Sequence, residues 1–145
     1  MDYIVFKLMG ENFAVKLDKI KEILVYSQII ITELFHEKAW VKGVVNLRGE
    51  VIPIIDLRIR FDEENPSYGE DTVAVVIKTD EEKLVGIIVD KIEAIMNIDH
   101  KRINQTQDIG LGIDQKYIEG LVKINNTEMT VLFDIDTVLK IEELV

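Results

Sequence analysis

Short apolar segments alternate with polar positions along most of the chain, and turn-forming residues separate them. Residues 3–9 and 13–17 lie on either side of a Gly-Glu-Asn turn. Alternation with a period of two is typical of β-strands, and a short polar turn between two such segments is typical of a β-hairpin. The pattern therefore predicts a mostly β fold built from hairpins. The other predicted strand pairs are 41–47 with 51–57, 72–79 with 84–89, and 117–124 with 129–135.

Three segments depart from this alternation and predict helix. In residues 18–24, apolar side chains have the i, i+3, i+4 spacing of one helix face and follow an Asp that is suited to an N-cap. Residues 90–96 repeat this arrangement. Residues 136–145 predict an amphipathic C-terminal helix, with Asp136 as its N-cap.

The two short helical segments belong to a longer internal repeat. Gly43 and Gly120 hold matching positions in the two copies, and Asp56 and Asp134 end matching strands. Two copies of one unit, made of a hairpin, a helical turn, a crossing segment and a second hairpin, account for the pattern. Chance similarity between isoleucine-rich hairpins is the alternative, but the order of the elements also repeats.

The repeat predicts one domain, 1–145, with two similar halves. A small antiparallel sheet loses its exposed edges when it closes into a barrel, so we expect two small barrels side by side with a core between them. The approximate subdomains are 1–65 and 70–136, and an acidic segment, 62–71, connects them. Whether the two subdomains exchange strands stays open at this stage.

Composition narrows the classes of function. The 145 residues carry a net charge of −10 and include no cysteine. Disulfides and thiolate metal sites are therefore excluded, and nucleic acid is an unfavourable partner because phosphate binding relies on Lys and Arg. No apolar run approaches the roughly 20 residues that span a membrane, so membrane insertion is not expected.

Motifs for catalysis are also missing from the sequence. The only histidines, His36 and His100, have no ligand-like spacing to other polar residues, and no nucleophile-elbow or Walker motif occurs. The symmetric positions of Asp56 and Asp134 favour a structural role, such as accepting turn N–H groups, over catalysis. We expect no enzyme, metal or cofactor. An oligonucleotide- or ligand-binding barrel and an enzyme built on either Asp are the alternatives.

The stretch GVVNLRGEVIPIIDLR, at 43–58, is more specific than these patterns. It closely resembles the hallmark of the CheW family, the adaptor proteins of bacterial chemotaxis. The resemblance continues in the expected order through the first strand, the segment that begins at Leu17, the strand at 85–90 and the approach to Gly120.

This resemblance implies a fold and a role. The fold would be two five-stranded SH3-like barrels, packed side by side, with short helical turns and a C-terminal helix. The role would be a non-catalytic coupling of chemoreceptor cytoplasmic tips to the regulatory domain of the CheA histidine kinase. The location would be the cytoplasm, at receptor arrays on the inner face of the membrane.

The resemblance also implies a set of partner-binding residues. They are Ile20, Glu22, Gly43, Asn46, Arg48, Gly49 and, in a second contact face, Ile109. A planar Arg48 guanidinium in a turn suits a partner carboxylate, and Gly43 permits close approach of another segment. A purely turn-forming role for Asn46 and Gly49 stays open.

Overall fold

Two five-stranded β-sheets make up most of the part that the computed structural model describes, which is residues 1–34, 38–61, 63–104, 113–124 and 128–140. The predicted mostly β architecture with two five-stranded units is confirmed. The strands are β1 Asp2–Leu8, β2 Glu11–Lys16, β3 Ile20–Val25, β4 Val41–Leu47, β5 Glu50–Asp56, β6 Val73–Lys78, β7 Leu84–Val89, β8 Lys91–Asn97, β9 Ile118–Lys123 and β10 Met129–Phe133.

The strand order reproduces the sequence repeat. Sheet A has the order β8-β1-β2-β10-β9, and sheet B has the order β3-β6-β7-β5-β4. Each strand of sheet A corresponds to the strand five places away along the chain in sheet B. Each sheet thus combines strands from both 1–65 and 70–136, with parallel pairing of β2 to β10 and of β5 to β7.

The two sheets keep open edges. Within the described residues, no ladder joins the outer strands of either sheet, so the sheets are not closed barrels. Their strand number and hairpin pairing are nevertheless consistent with the SH3-like character expected from the sequence. The four hairpins β1–β2, β4–β5, β6–β7 and β9–β10 all form, as their turn residues predict.

The helical turns predicted at 18–24 and 90–96 are wrong. A 3-10 turn, Leu17–Lys19, is followed by β3, and the second segment is almost entirely β8. Exposure alternates along β3 with the period of two that a strand requires. A seven-residue helix is too short to be stable alone, whereas pairing with β6 supplies hydrogen bonds to the backbone of β3.

Two single-turn helices follow matching strands, α1 Leu57–Arg60 and α2 Ile135–Val138. Asp56 accepts the backbone N–H of Arg58, and Asp134 accepts that of Thr137, so the predicted structural role of both carboxylates is confirmed. The C-terminal helix predicted over 136–145 is corrected, because α2 ends at Val138 and its N-cap is Asp134 rather than Asp136. Residues 141–145 lie outside the described residues.

The main hydrophobic core lies between the two sheets. Phe13 of sheet A stacks with both Phe6 and Phe133, and side chains of β5, β6 and β7 cover these rings from sheet B. Burial of one such aromatic side chain contributes about 1.5–3 kcal/mol. A separate small core lies under each sheet. No helix in the described part of the chain is long and apolar enough to cross a membrane.

Candidate protein-interaction site

The β4–β5 turn forms the tip of the candidate site. Arg48 and Gly49 both have positive φ, 50° and 87°, as the tight two-residue hairpin turn requires. Asn46 accepts the backbone N–H of Gly49 through its side-chain oxygen, at 3.1 Å. Asn46 and Gly49 therefore fix the turn, and a Cβ added at Gly49 would meet open space.

The structure brings Arg48 together with Glu22 of β3, another of the residues predicted from the sequence. The guanidinium donates to both carboxylate oxygens, at 2.5 and 3.4 Å. Because β3 and β4 are the two outer strands of sheet B, this ion pair joins opposite edges of the sheet. The contact depends on how the whole sheet folds back on itself.

The electrostatics of this pair are those of a surface contact. The hydrogen bond from Arg48 lowers the pKa of Glu22, and the same bond raises the pKa of Arg48. The Arg48 side chain is 70% exposed and that of Glu22 is 28% exposed. Exposed ion pairs contribute little to stability, so the guanidinium can exchange Glu22 for another carboxylate at low cost.

Gly43 lies below the surface, against the chain's own crossing segment. Its φ is 147°, and a Cβ at this position would lie 2.2 Å from the carbonyl oxygen of Thr32. Val44 and Thr32 exchange backbone hydrogen bonds of 2.8 and 2.9 Å at this point. The close approach that Gly43 permits is therefore made within the molecule, and Gly120 allows the equivalent approach of Asn104 to β9.

Ile20 begins β3, where it is half-buried and packs on the main core. The outward face of the same strand exposes two apolar side chains, Ile23 at 41% and Val25 at 38%. These two exposed side chains were not predicted, because residues 18–24 were assigned to a helix that ends before Val25. The alternation of a strand would have placed Ile23 on the solvent face, with Val25 two residues further along the same face. Ile109 lies outside the described residues.

Comparison with known proteins decides the family. The model of the CheW-like domain matches residues 2–143. The chain belongs to the CheW-like domain family. The resemblance inferred from the hallmark hairpin is thereby confirmed.

Several relatives of this CheW-like domain are named chemotaxis proteins. The chain is 32% identical over 143 residues to the chemotaxis protein CheW of Klebsiella aerogenes, covering 99% of this chain and 84% of the relative. It is 25% identical over 142 residues to CheW of Thermotoga maritima, covering 93% and 85%. The crystal structure of the scaffolding protein TtCheW from Thermoanaerobacter tengcongensis superposes with a TM-score of 0.80 at 25% identity, over 91% of this chain and 82% of that one. Together these matches make the chain a chemotaxis scaffold of the CheW type.

In this CheW-like domain, Asp56, which was considered above as a possible catalytic residue, has the contacts of a structural residue. The Asp56 carboxylate is fully buried and accepts from the Arg58 guanidinium at 2.9 and 3.0 Å and from the Tyr68 hydroxyl at 2.7 Å. Burial, together with this bond to Asp56, raises the pKa of Tyr68. A carboxylate saturated in this way is not available as a general base. Among the described residues, no three His, Asp or Glu side chains converge to hold a metal.

Proposed function

We propose that the chain is a non-catalytic adaptor that couples chemoreceptor cytoplasmic tips to the regulatory domain of a CheA-type histidine kinase. Its place is the cytoplasm, at receptor arrays on the inner face of the membrane. The observation that carries the proposal is the exposed Arg48–Glu22 pair at the tip of sheet B. Family membership and the scaffolding role of a structural relative support it.

The chemistry of this tip suits reversible protein binding. A guanidinium presents a planar fork of donors that matches a carboxylate, and the tight turn fixes the backbone that carries it. Ile23 and Val25 supply exposed apolar area on the outward face of β3, the strand that carries Glu22. Apolar contacts with an orienting charged group are the composition expected of a protein interface.

Binding of an adaptor couples its partners without a chemical step. A receptor conformation that binds one face better shifts the population of the complex, and the kinase responds through its own contacts with the adaptor. The alternative of an oligonucleotide-binding barrel is opposed by the net charge of −10, because such binding requires neutralisation of phosphates.

The test is a charge reversal at the tip. We expect Arg48→Glu to abolish binding to a receptor-tip fragment, to the kinase regulatory domain, or to both, as measured by calorimetry, because two carboxylates then repel each other and the partner. The double change Glu22→Arg with Arg48→Glu restores the internal pair but moves the guanidinium to β3, so partner binding stays lost.

The matched control is Lys123→Glu, which makes the same change of charge at an exposed position of β9 in sheet A. This variant should bind like the parent chain. Circular dichroism should show the same folded spectrum for all variants. Full binding by Arg48→Glu to both partners would overturn the proposed site, and binding of neither partner by the parent chain would overturn the proposed function.

A further inference from the structure

An apolar core and a small number of polar contacts connect the two sheets. Hydrophobic attraction is non-directional, so the core opposes separation of the sheets more than it opposes small sliding or rotation between them. Ion pairs and hydrogen bonds between the sheets have preferred geometry. Two such clusters occur at equivalent places of the repeat.

The first cluster, the Arg58 joint, is centred on the buried Arg58–Asp56 ion pair, and its second carboxylate, Asp90, is 36% exposed. The Arg58 side chain is 1% exposed and donates to Asp56 at the end of β5, to Asp90 at 2.8 Å and to the carbonyl oxygen of Ser67 at 2.6 Å. Asp90 also accepts the backbone N–H of Met9, in the β1–β2 turn, at 3.0 Å. The joint therefore connects the end of β5 in sheet B to the β1–β2 hairpin of sheet A.

The second cluster, the Lys19 joint, is at the surface. Lys19 precedes β3 and pairs with Asp136 of α2 at 2.8 Å and with Asp80 in the β6–β7 turn. The Asp80 backbone N–H donates to Asp136 at 2.7 Å. This joint therefore connects α2, which follows β10 of sheet A, to the β6–β7 hairpin of sheet B. The side chains of Lys19, Asp136 and Asp80 are 22%, 24% and 73% exposed.

The two joints match in position and are opposite in charge. Arg58 and Asp136 are each the second residue of a single-turn helix, α1 or α2. Asp90 lies in the β7–β8 connection, and Lys19 lies in the equivalent β2–β3 connection. In the first joint the helix carries the cation and the connection the anion, and in the second joint these roles are exchanged.

We propose that these joints set the angle between the two sheets, with the Arg58 joint as a fixed pivot and the Lys19 joint as the adjustable contact. The physical reason is the difference in exposure. Salt screens an ion pair between exposed charges and affects a buried pair much less. Without Lys19, the carboxylates of Asp80 and Asp136 would repel each other and move sheet A relative to sheet B. This inference does not depend on which partners the chain binds.

The test measures a distance between the sheets. The chain has no cysteine, so spin labels can be placed only at introduced cysteines. Val51 of β5 and Ala94 of β8 are exposed and lie in different sheets, whereas Glu11 of β2 and Ala94 lie in the same sheet. We expect Lys19→Met to shift and broaden the distance distribution of the Val51/Ala94 pair and to leave the Glu11/Ala94 pair unchanged.

Two further conditions test the same joint. Salt at about 1 M, where the Debye length is ~3 Å, should shift the inter-sheet distance of the parent chain in the same direction. Asp136→Asn keeps an oxygen for the Asp80 N–H but removes the charge that Lys19 pairs with, so it should weaken the Lys19–Asp136 contact and broaden the inter-sheet distance distribution. It tests the joint independently if Lys19→Met folds poorly. Lys21→Met, which removes an exposed cation two residues away, is the control.

The inference would be overturned by an inter-sheet distribution that is unchanged in both Lys19→Met and Asp136→Asn. It would equally be overturned by the same shift in Lys21→Met, or by an equal shift of the Glu11/Ala94 pair, since each would show that the effect does not come from this joint.

Discussion

Arg48 adopts a backbone conformation that few residues other than glycine take up. The backbone strain at Arg48 is offset because the two-residue turn matches the twist of β4 and β5. The Asn46 side chain also stabilises the turn by accepting the backbone N–H of Gly49. The turn thus fixes the backbone from which the Arg48 side chain extends, and the guanidinium pairs with Glu22. At the scale of the residue, the site is the Arg48 guanidinium, and its ion pair with Glu22 contributes little to stability because it is exposed to solvent.

The Glu22 carboxyl reports directly on this contact. Its pKa is lowered by the hydrogen bond from Arg48. In Arg48→Met we expect the pKa of Glu22 to rise, because the hydrogen bond that lowers it is gone. Carbon-detected NMR titration of the side-chain carboxyl measures both values, and Lys21→Met controls for the loss of a nearby charge. A Glu22 pKa that is the same with and without Arg48 would show that the two side chains do not pair in solution.

A second residue-scale prediction concerns the fully buried Thr130 of β10. Its hydroxyl has no hydrogen-bond partner among the described residues. Thr130→Val keeps the shape and removes the unsatisfied group, so we expect a gain of about 1 kcal/mol in the free energy of unfolding, measured in urea. The matched control is Thr72→Val, because the buried Thr72 hydroxyl accepts the N–H of Gly69 at 2.9 Å and its loss should destabilise. Equal losses in both variants would contradict the prediction.

At the scale of elements, local chemistry made the hairpins predictable. The turn residues and the alternation that flanks them are all within one short stretch of sequence, so the four strand pairs could be predicted directly. β3 and β8 could not, since seven residues with apolar side chains at i, i+3 and i+4 fit either a helix or a strand. Their outcome depends on β6 and β1, which lie far away along the chain.

The contact of each crossing segment with its sheet gives the element-scale prediction. Gly43→Ala places a methyl group against the Thr32 carbonyl and strains a positive φ, so we expect a loss of about 3 kcal/mol or more. Gly120→Ala meets the Ile103 side chain at 2.6 Å and the Asn104 oxygen at 2.9 Å without a positive φ, and should lose about 1–3 kcal/mol. Urea unfolding ranks the two variants. A Gly43→Ala chain that is more stable than Gly120→Ala would be inconsistent with the close approach at Thr32.

At the scale of the whole molecule, the internal repeat could be predicted from the sequence, but the contacts between distant parts of the chain could not. The matching of Asp56 with Asp134 could be seen in the sequence, and both carboxylates cap helices. Glu22 and Arg48 were named only through the family resemblance, and their contact was not predicted, because it joins two edges of a sheet that includes strands of both halves. The burial of Arg58 was not predicted, because a charged residue is normally exposed and Arg58 was considered only as part of the hallmark motif.

This buried arginine carries the last prediction. Arg58→Met leaves the fully buried Asp56 without its counter-charge, and breaking such a pair from one side costs about 3–5 kcal/mol. Arg58→Met combined with Asp56→Asn should cost less than the sum of the two single changes, because the second change removes the charge that the first one stranded. Urea unfolding of the parent, both single variants and the double variant gives this coupling energy. The control is Arg102→Met, which changes an exposed arginine in the turn after β8 and should change the free energy of unfolding little. Additive losses would show that Arg58 and Asp56 stabilise the molecule independently, and the Arg58 joint would then be no more than a set of separate contacts.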